Sequence, residues 1–184
     1  MQSDASFNEL YPLKVQMLDN MHWTPLHVAR RAAGFLGDKG AKVLDIGSGV
    51  GKFCLAAAYY AQDAQFYGIE QRAQLVEHAL KAQQAFDIPN VSFIHANLTE
   101  TDLRDFDHFY FYNSFQEVID PGDKIDETTG YSPELYDHYI ACLNKQLQQM
   151  PQGCKLVTFH RPDELQPGFE LADTIGELDF WIKG

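Results

Sequence analysis

Cysteine is scarce in this chain of 184 residues, which contains only three. Cys54, Cys142 and Cys154 are an odd number and show no C-x-x-C spacing, so neither a disulfide framework nor a zinc site is predicted. We expect reduced and mostly buried thiols. Among the seven histidines, four are scattered without metal-ligand spacing: His22, His95, His108 and His160. The sequence therefore predicts no metal site.

Basic residues are also few. The chain has 14 Lys and Arg against 26 Asp and Glu, which gives a formal net charge of −12. Such a field repels a phosphate backbone, so nucleic acid is an unlikely substrate unless a local basic patch overrides the net charge. The one adjacent basic pair, Arg30-Arg31, falls on the face of a predicted helix.

Long apolar runs are missing. The longest, Cys54 to Ala61, is far short of the ~20 residues that a membrane span needs. Met1 to Glu9 is polar and does not resemble a signal peptide. With 45% hydrophobic residues, the length suits one domain. We expect a soluble, cytoplasmic domain over residues 1–184, without membrane contact, in which residues 1–24 are an N-terminal extension.

Short apolar runs alternate with helical segments, which is typical of βαβ units around a parallel sheet. Thr24 is the predicted N-cap of the first helix, with Pro25 at its first position, and Ser132 caps the last helix. The predicted strands are Lys42–Ile46, Gln65–Ile69, Val91–His95, Phe109–Tyr112 and Lys155–Phe159. The predicted helices are Pro25–Phe35, Lys52–Ala61, Arg72–Phe86 and Pro133–Gln149, and a hairpin over Phe169–Ile182 turns near Gly176.

Three glycines alternate between a predicted strand and a predicted helix in the segment Asp45-Ile46-Gly47-Ser48-Gly49-Val50-Gly51. Glycine permits a tight turn and lets a ligand approach the backbone, and the start of the next helix offers unpaired N–H groups. The pattern therefore indicates a ligand-binding turn.

An acidic residue, Glu70, ends the next predicted strand about 20 residues further on, where a carboxylate can accept hydrogen bonds from both ribose hydroxyls. Dinucleotide-binding loops read G-x-G-x-x-G. Here the third glycine comes one residue early, and Lys52 occupies the position that the third glycine would take. The spacing favours an adenosyl ligand without a pyrophosphate.

The segment Asp45-x-Gly47-x-Gly49-x-Gly51, followed by Phe66-Tyr67-Gly68-Ile69-Glu70, resembles the first two motifs of class I S-adenosylmethionine-dependent methyltransferases. The order of predicted strands and helices is similar to that family too, over roughly residues 20–184. The resemblance implies a three-layer α/β fold with a Rossmann-like, seven-stranded sheet, mostly parallel with an antiparallel last strand. It also implies S-adenosylmethionine as cofactor, across the carboxyl ends of the first two strands.

The resemblance further implies roles in the glycine turn. The backbone at Gly47 and Gly49 would hold the methionyl part of the cofactor, and Asp45 would orient its amino group. Ser48 and Gly51 complete the cofactor-binding turn.

For the nucleoside, the resemblance implies that Glu70 holds the ribose and that Gln71 lines the adenine. Asn97 follows the third strand, with Leu98 after it. The family usually has an aspartate there, which accepts a hydrogen bond from the adenine amino group. The amide oxygen of Asn97 is expected to accept the same bond.

The fourth strand ends in Tyr112-Asn113-Ser114-Phe115, where amino-group methyltransferases show Asn-Pro-Pro-Tyr or a similar motif. In that family the asparagine oxygen accepts from the target amine and an aromatic residue packs the acceptor, which implies Asn113 and Phe115 as catalytic residues. Both prolines are missing here, so the substrate class does not carry over. The motif is also faintly similar to that of histone lysine methyltransferases without a SET domain.

Two further features concern the acceptor. His160 ends the fifth strand at the same sheet edge as the fourth-strand motif and is the best candidate for a proton acceptor. The loop after the fourth strand carries Asp120, Asp123, Asp126 and Glu127. If this loop faces the pocket, it favours a cationic acceptor such as an amine.

These observations favour methyl transfer to a nitrogen or oxygen of an unidentified small molecule or protein. The alternative is a non-catalytic protein that keeps the fold and binds an adenosyl ligand. A nicotinamide-dependent oxidoreductase is disfavoured by the glycine spacing and by the lack of a second substrate domain.

Overall fold

The computed structural model describes residues 3–120, 122, 124–126, 128 and 130–184. Strands and helices alternate through most of the chain, as predicted. The strands are β1 (Lys42–Ile46), β2 (Gln65–Glu70), β3 (Val91–His95), β4 (His108–Tyr112), β5 (Lys155–Phe159), β6 (Glu170–Ile175) and β7 (Leu178–Ile182). The helices are α1 (Asp4–Asn8), α2 (Leu13–Gln16), α3 (Asp19–His22), α4 (Leu26–Leu36), α5 (Lys52–Tyr60), α6 (Ala73–Phe86) and α7 (Pro133–Gln148).

All seven strands form one sheet in the order β3-β2-β1-β4-β5-β7-β6. The pairs among β1 to β5 are parallel, whereas β7 runs antiparallel to both β5 and β6. The strand order reverses between β1 and β4, and open α/β sheets bind ligands outside the carboxyl ends of the strands at such a point. The predicted fold class is confirmed.

Alternation along β4 sends aromatic side chains to both faces of the sheet. Tyr110 joins the core that α4 and α5 cover and stacks on Phe53, with the ring centroids 3.7 Å apart. Phe109 and Phe111 join the core on the other face, beneath α7. The sheet is therefore the middle layer of three.

The start of α4 differs from the prediction. The helix begins at Leu26, and its N-cap is Pro25, not Thr24. The Thr24 hydroxyl instead shares a 2.9 Å hydrogen bond with the Tyr110 hydroxyl, and the Leu26 N–H donates to Asp4 Oδ1 at 3.0 Å. The Thr24 hydroxyl is thus used in the core, and the carboxylate of Asp4 accepts the hydrogen bond at the start of the helix in its place.

The other end of the chain follows the prediction closely. Ser132 Oγ accepts from the Leu135 N–H at the start of α7, and the β6–β7 hairpin turns at Gly176 and Glu177. The three cysteines are free thiols, with Cys54 and Cys154 buried and Cys142 partly buried. None of the helices in the described ranges is long and apolar enough to cross a membrane.

Candidate functional site

A cavity of about 440 Å³ lies at the carboxyl ends of β1, β2 and β4. All of the predicted site residues line it except Gly51: Asp45, Gly47, Ser48, Gly49, Glu70, Gln71, Asn97, Leu98, Asn113, Phe115 and His160. This volume falls within the usual range of about 300–1,000 Å³ for small-molecule sites. The topology thus brings the predicted residues of β1 to β5 to one place.

The glycines of the turn serve two purposes. Gly49 has φ +53, and a Cβ atom there would stand in open space beside the cavity. Gly51 has φ +81, and a Cβ atom there would lie 2.4 Å from the Phe93 ring. Gly49 therefore leaves room for a ligand, whereas Gly51 leaves room for Phe93, and the predicted cofactor contact of Gly51 stays a prediction.

The turn is fastened to the end of β2. The N–H groups of Gly47 and Ser48 both donate to the Ile69 carbonyl, at 3.0 and 2.8 Å. The Gly49 N–H donates to Glu70 Oε2 at 3.1 Å. The two predicted motifs are therefore one hydrogen-bonded unit.

Glu70 is 5% exposed, and both of its carboxylate oxygens accept hydrogen bonds from backbone N–H groups. Oε1 accepts from the Arg72 N–H at 2.8 Å, and Oε2 accepts from Gly49. Burial raises the pKa of Glu70. Because a carboxylate offers about four lone-pair positions, each oxygen retains capacity for one further donor such as a ribose hydroxyl.

Asp45 lies deeper, on the α5 side of the sheet, and is 4% exposed. Oδ2 accepts from the Cys54 thiol at 3.6 Å. Burial raises the pKa of Asp45 to about 8, the thiol bond opposes that rise, and the nearby Glu70 carboxylate adds to it. A ligand cation that pairs with this carboxyl group at neutral pH would have to displace its proton.

Arg72, which the sequence analysis missed, joins the wall of the cavity to the segment after β4. Its guanidinium lies 2.6 Å from Glu117 and 3.1 Å from Asp126, and Nη1 is 3.7 Å from Glu70 Oε1. Arg72 and Glu117 are both buried and line the cavity. The position of Arg72 after Glu70-Gln71 was a signal that could have been used, but no sequence pattern marks Glu117.

The side chain of Asn97 has partners within the protein at each of its polar atoms, and its predicted contact with the adenine stays a prediction. Its amide oxygen accepts from both the backbone N–H and the hydroxyl of Thr99, at 3.0 and 2.9 Å. Because a backbone N–H can only donate, the oxygen must face Thr99, and its two lone pairs are used there. The Asn97 amide nitrogen donates instead to Gln71 Oε1 and to the Tyr139 hydroxyl, at 3.0 and 2.9 Å.

Phe115 lies on the same side of the cavity as this network. Its ring packs against Phe111 and Tyr139, with the centroids 5.2 and 5.1 Å apart, and Tyr139 is the residue that binds Asn97. The ring therefore forms part of the cavity wall, and its predicted role in packing the acceptor stays a prediction.

Asn113 and His160 face the cavity from the ends of β4 and β5. Both have positive φ values, 34° and 50°, which is a strained conformation for residues other than glycine. Asn113 Nδ2 donates to Gln116 Oε1 at 3.3 Å, but the buried Oδ1 accepts no hydrogen bond from the described part of the chain. A buried acceptor without a donor is costly, so Oδ1 is a strong candidate to meet a ligand N–H or O–H group.

His160 stands beside aromatic rings at the mouth of the site. Its ring centroid lies 4.2 Å from that of Phe159 and 5.7 Å from that of Tyr112. Nδ1 is 3.8 Å from the Glu177 carboxylate in the β6–β7 turn. A second cavity of about 310 Å³ adjoins the first and shares Trp23, Tyr112 and His160 with it.

The acidic loop is only partly described. Asp126 pairs with Arg72, and Asp120 accepts from the Gly122 N–H at 2.8 Å. Asp123 and Glu127 lie outside the described residues. Ile125 lines the cavity, which places this part of the loop at the site.

The site residues fit a polar ligand of nucleoside size. Gly49 leaves open space, Glu70 retains acceptor capacity, and the buried Ser48 Oγ and Asn113 Oδ1 have no hydrogen-bond partner among the described residues. No group of three or more His, Cys, Asp or Glu that could hold a metal ion occurs within those ranges. Fold and site together define an α/β enzyme with a nucleoside-type ligand at the β1–β4 switch point.

The methyltransferase domain family matches residues 37–154, and the chain belongs to this family. The family and the fold confirm the predicted class, a class I S-adenosylmethionine-dependent methyltransferase, and with it the expectation of an enzyme that uses this cofactor.

Similar proteins have several different substrates in their names. A tRNA (guanine-N(7)-)-methyltransferase of Synechococcus sp. (strain JA-3-3Ab) is 44% identical over 55 residues, which span 30% of this chain and only 23% of that relative. An RNA methyltransferase from Salinibacter ruber in complex with S-adenosyl-L-homocysteine has a TM-score of 0.57 and 21% identity, over 88% of this chain and 92% of that chain. A SAM-dependent O-methyltransferase from Thermotoga maritima has a TM-score of 0.57 and 16% identity, over 94% of this chain and 71% of that chain. At these identities the two structures show the fold alone.

Proposed function

We propose that this methyltransferase transfers a methyl group from S-adenosylmethionine to a nitrogen atom of a small molecule or protein. The observation that carries the proposal is the buried, unpartnered Asn113 Oδ1 at the carboxyl end of β4, which borders the same cavity as the glycine turn. An acceptor N–H group that donates to this oxygen would be held at the end of the cavity where the methyl group is delivered.

The cofactor would be held by the residues that the sequence analysis selected, with two changes. Gly47, Ser48 and Gly49 would contact the methionyl part, and Asp45 its amino group. At the nucleoside end, Glu70 would accept from the ribose hydroxyls. The base would meet Gln71, Leu98 and Tyr139, with Asn97 holding Gln71 and Tyr139 in place. Gly51 would act through packing.

When bound, S-adenosylmethionine supplies a methyl carbon that carries its own leaving group, a sulfonium. The protein then has to align the acceptor nitrogen in line with that carbon and to accommodate one proton. Asn113 would orient the nitrogen through its N–H, which leaves the nitrogen lone pair free to form the new N–C bond as the C–S bond breaks. His160, which also lines the cavity, would take the released proton, either directly or through water.

Charge around the site supports an amine as the acceptor. Glu70, Glu117 and Asp126 surround the single guanidinium of Arg72, so the group carries an excess of negative charge when all its members are ionised. A cationic or amine-bearing acceptor complements this field, whereas a polyphosphate backbone opposes it. An alcohol is disfavoured because its oxygen needs a stronger base than His160 to become nucleophilic.

Nucleic acid is a second candidate. The local likeness to a tRNA (guanine-N(7)-)-methyltransferase, 44% over 55 residues, favours it. The net charge of −12 argues against it. Both candidates require the same cofactor site, so only the acceptor decides between them.

Methyl-labelled S-adenosylmethionine tests this proposal, with a panel of primary amines, the matching alcohols and total tRNA as acceptors. We expect label in one or more amines and none in alcohols or tRNA. Label in tRNA alone would establish the second candidate in place of ours. Binding of S-adenosylmethionine without label in any acceptor would favour the non-catalytic alternative.

The test variant for this experiment is Asn113→Gly. Glycine adopts the observed φ of 34° without strain, so lost turnover reports on the side-chain amide and not on the backbone. We also propose that the chain functions as one domain in the cytoplasm. Fractionation of the cells that contain the protein would test the location.

A further inference from the structure

Lys52, the first residue of α5, has a buried ammonium group directly after the glycine turn. Its side chain is 2% exposed, and Nζ lies 2.7 Å from Asp4, 2.9 Å from Asp19 and 3.1 Å from the Asn8 amide oxygen. All three partners belong to residues 3–23, which we call the N-terminal segment. A buried ammonium needs such partners, so Lys52 joins the N-terminal segment to the start of α5.

A second polar interaction, a hydrogen bond, joins the N-terminal segment to the glycine turn. The Tyr11 hydroxyl donates to the Val50 carbonyl at 3.0 Å, and Tyr11 is 3% exposed. The Tyr11 ring meets Trp23 edge-on, with the centroids 4.9 Å apart. The N-terminal segment therefore contacts the residues on both sides of Gly51, which are Val50 in the turn and Lys52 in α5.

The N-terminal segment is also a wall of the cofactor cavity. Leu18, His22 and Trp23 line that cavity together with the glycine turn. A ligand on the turn would thus be covered on one side by the segment that Lys52 holds.

Residues 12–22 of the N-terminal segment can move away at modest cost, whereas Phe7, Tyr11 and Trp23 on either side of them are buried in the core. The helix α2 buries none of its residues, and Leu13 and Met17 are 79% and 81% exposed. The side chains of Asp4 and Asp19 are 43% and 28% exposed, so water can solvate them if Lys52 is released. Regions with few buried apolar contacts are the ones that open locally in folded proteins.

We infer that Lys52 is a positioning residue of the cofactor site and that it holds the N-terminal segment as a removable wall. The cofactor and its product enter and leave when the cluster of Lys52 with Asp4, Asn8 and Asp19 opens. This inference rests on the proposed cofactor site, and it adds the element that sets the rate of exchange there.

The test is the dissociation rate of S-adenosylhomocysteine, measured by displacement in a stopped-flow instrument. In Asp19→Ala and Lys52→Met the wall is held less firmly, and we expect dissociation to be about tenfold faster, since removing one partner of a buried ion pair is strongly unfavourable. Association should be faster too, so the dissociation constant should change less than either rate. Hydrogen exchange of residues 3–23 should increase in the same variants.

The control is Lys81→Met, which breaks an exposed pair with Glu77 on α6 and should leave both rates at the wild-type value. Tyr11→Phe removes only the hydrogen bond to Val50, and it replaces Lys52→Met as a test variant if that protein fails to fold. Wild-type exchange rates in Asp19→Ala and Tyr11→Phe, with S-adenosylhomocysteine still bound, would overturn the inference while the proposed function stands. Lack of binding by the wild-type protein would instead remove the proposed function, and this inference with it.

Discussion

At the carboxyl ends of β1 and β2 the cavity wall is held by hydrogen bonds from backbone N–H groups. Those of Gly47 and Ser48 donate to the Ile69 carbonyl, and that of Gly49 donates to the Glu70 carboxylate. At the ends of β4 and β5 the wall includes Asn113 and His160, which both have positive φ values, and the amide oxygen of Asn113 accepts no hydrogen bond from the described residues. In the first region the backbone of the glycine turn is fixed without a ligand, although the buried Ser48 Oγ has no partner among the described residues. In the second region the unpartnered buried atom is the amide oxygen of Asn113, an acceptor that a substrate could use.

This difference explains why the donor of the methyl group is easier to infer than the acceptor. A turn whose geometry needs glycine leaves a pattern in the sequence, and the same geometry limits which ligand fits. A site formed by side chains at loop positions has no such pattern. The substitutions below test whether the two regions are as independent as this comparison implies.

The largest effect is expected for Glu70→Ala. Loss of the charged acceptor should weaken binding of S-adenosylhomocysteine by ~1.5–3 kcal/mol. The Gly49 and Arg72 N–H groups lose their acceptor at the same time, so the urea midpoint of unfolding should fall as well. Calorimetry and urea denaturation measure the two effects. Glu77→Ala, at an exposed helix position, is the control, and equal affinity in both variants would show that the ribose is held elsewhere.

Next is Gly49→Ala, compared with Gly40→Ala. Both positions have positive φ, 53° and 79°, and neither Cβ atom would meet another atom within 4 Å, so both variants carry a similar backbone strain. Only Gly49 borders the cavity. We expect Gly49→Ala alone to weaken cofactor binding, by about 1–3 kcal/mol as in other overpacked sites. An equal affinity of the two variants would place the ligand away from the turn.

In the second region, Asn113→Gly should lower turnover at least about tenfold, ~1.4 kcal/mol, with little change in cofactor affinity, because a positioning group acts on the rate. Steady-state kinetics at saturating cofactor provide the measurement once the acceptor panel has yielded a substrate. A variant that keeps its turnover and loses cofactor affinity would show that Asn113 belongs to the first region.

The smallest effect concerns pH. Since the pKa of Asp45 is raised to about 8, a cationic ligand must displace its proton at neutral pH, and affinity should increase by at most about tenfold per pH unit up to pH 8. For the free protein, the stability that protonated Asp45 contributes is present at low pH and is lost as the pH rises through 8. Asp45→Asn should remove both dependences. Calorimetry in buffers of different ionisation enthalpy measures the released proton, and equal release by wild type and variant would contradict the assignment.

The sequence predicted elements whose cause is local. β1, β3 and β5 have the predicted bounds because short apolar runs bounded by glycine, proline and polar residues define them. The partners of Asn97 could not be predicted, because they depend on the hydrogen bonds that Thr99 makes to the amide oxygen in a short turn. The cluster around Lys52 joins residues that are 33 to 48 positions apart, and no periodicity carries that information. Thr24 fits a capping pattern, but tertiary contact with Tyr110 decides its role.

The most direct test of the account is calorimetric titration of the wild-type protein with S-adenosylhomocysteine and, separately, with NADH. We predict a dissociation constant in the micromolar range for S-adenosylhomocysteine, about −8 kcal/mol, and no binding of NADH. No binding of S-adenosylhomocysteine, with NADH bound in its place, would contradict the assignment of the cavity.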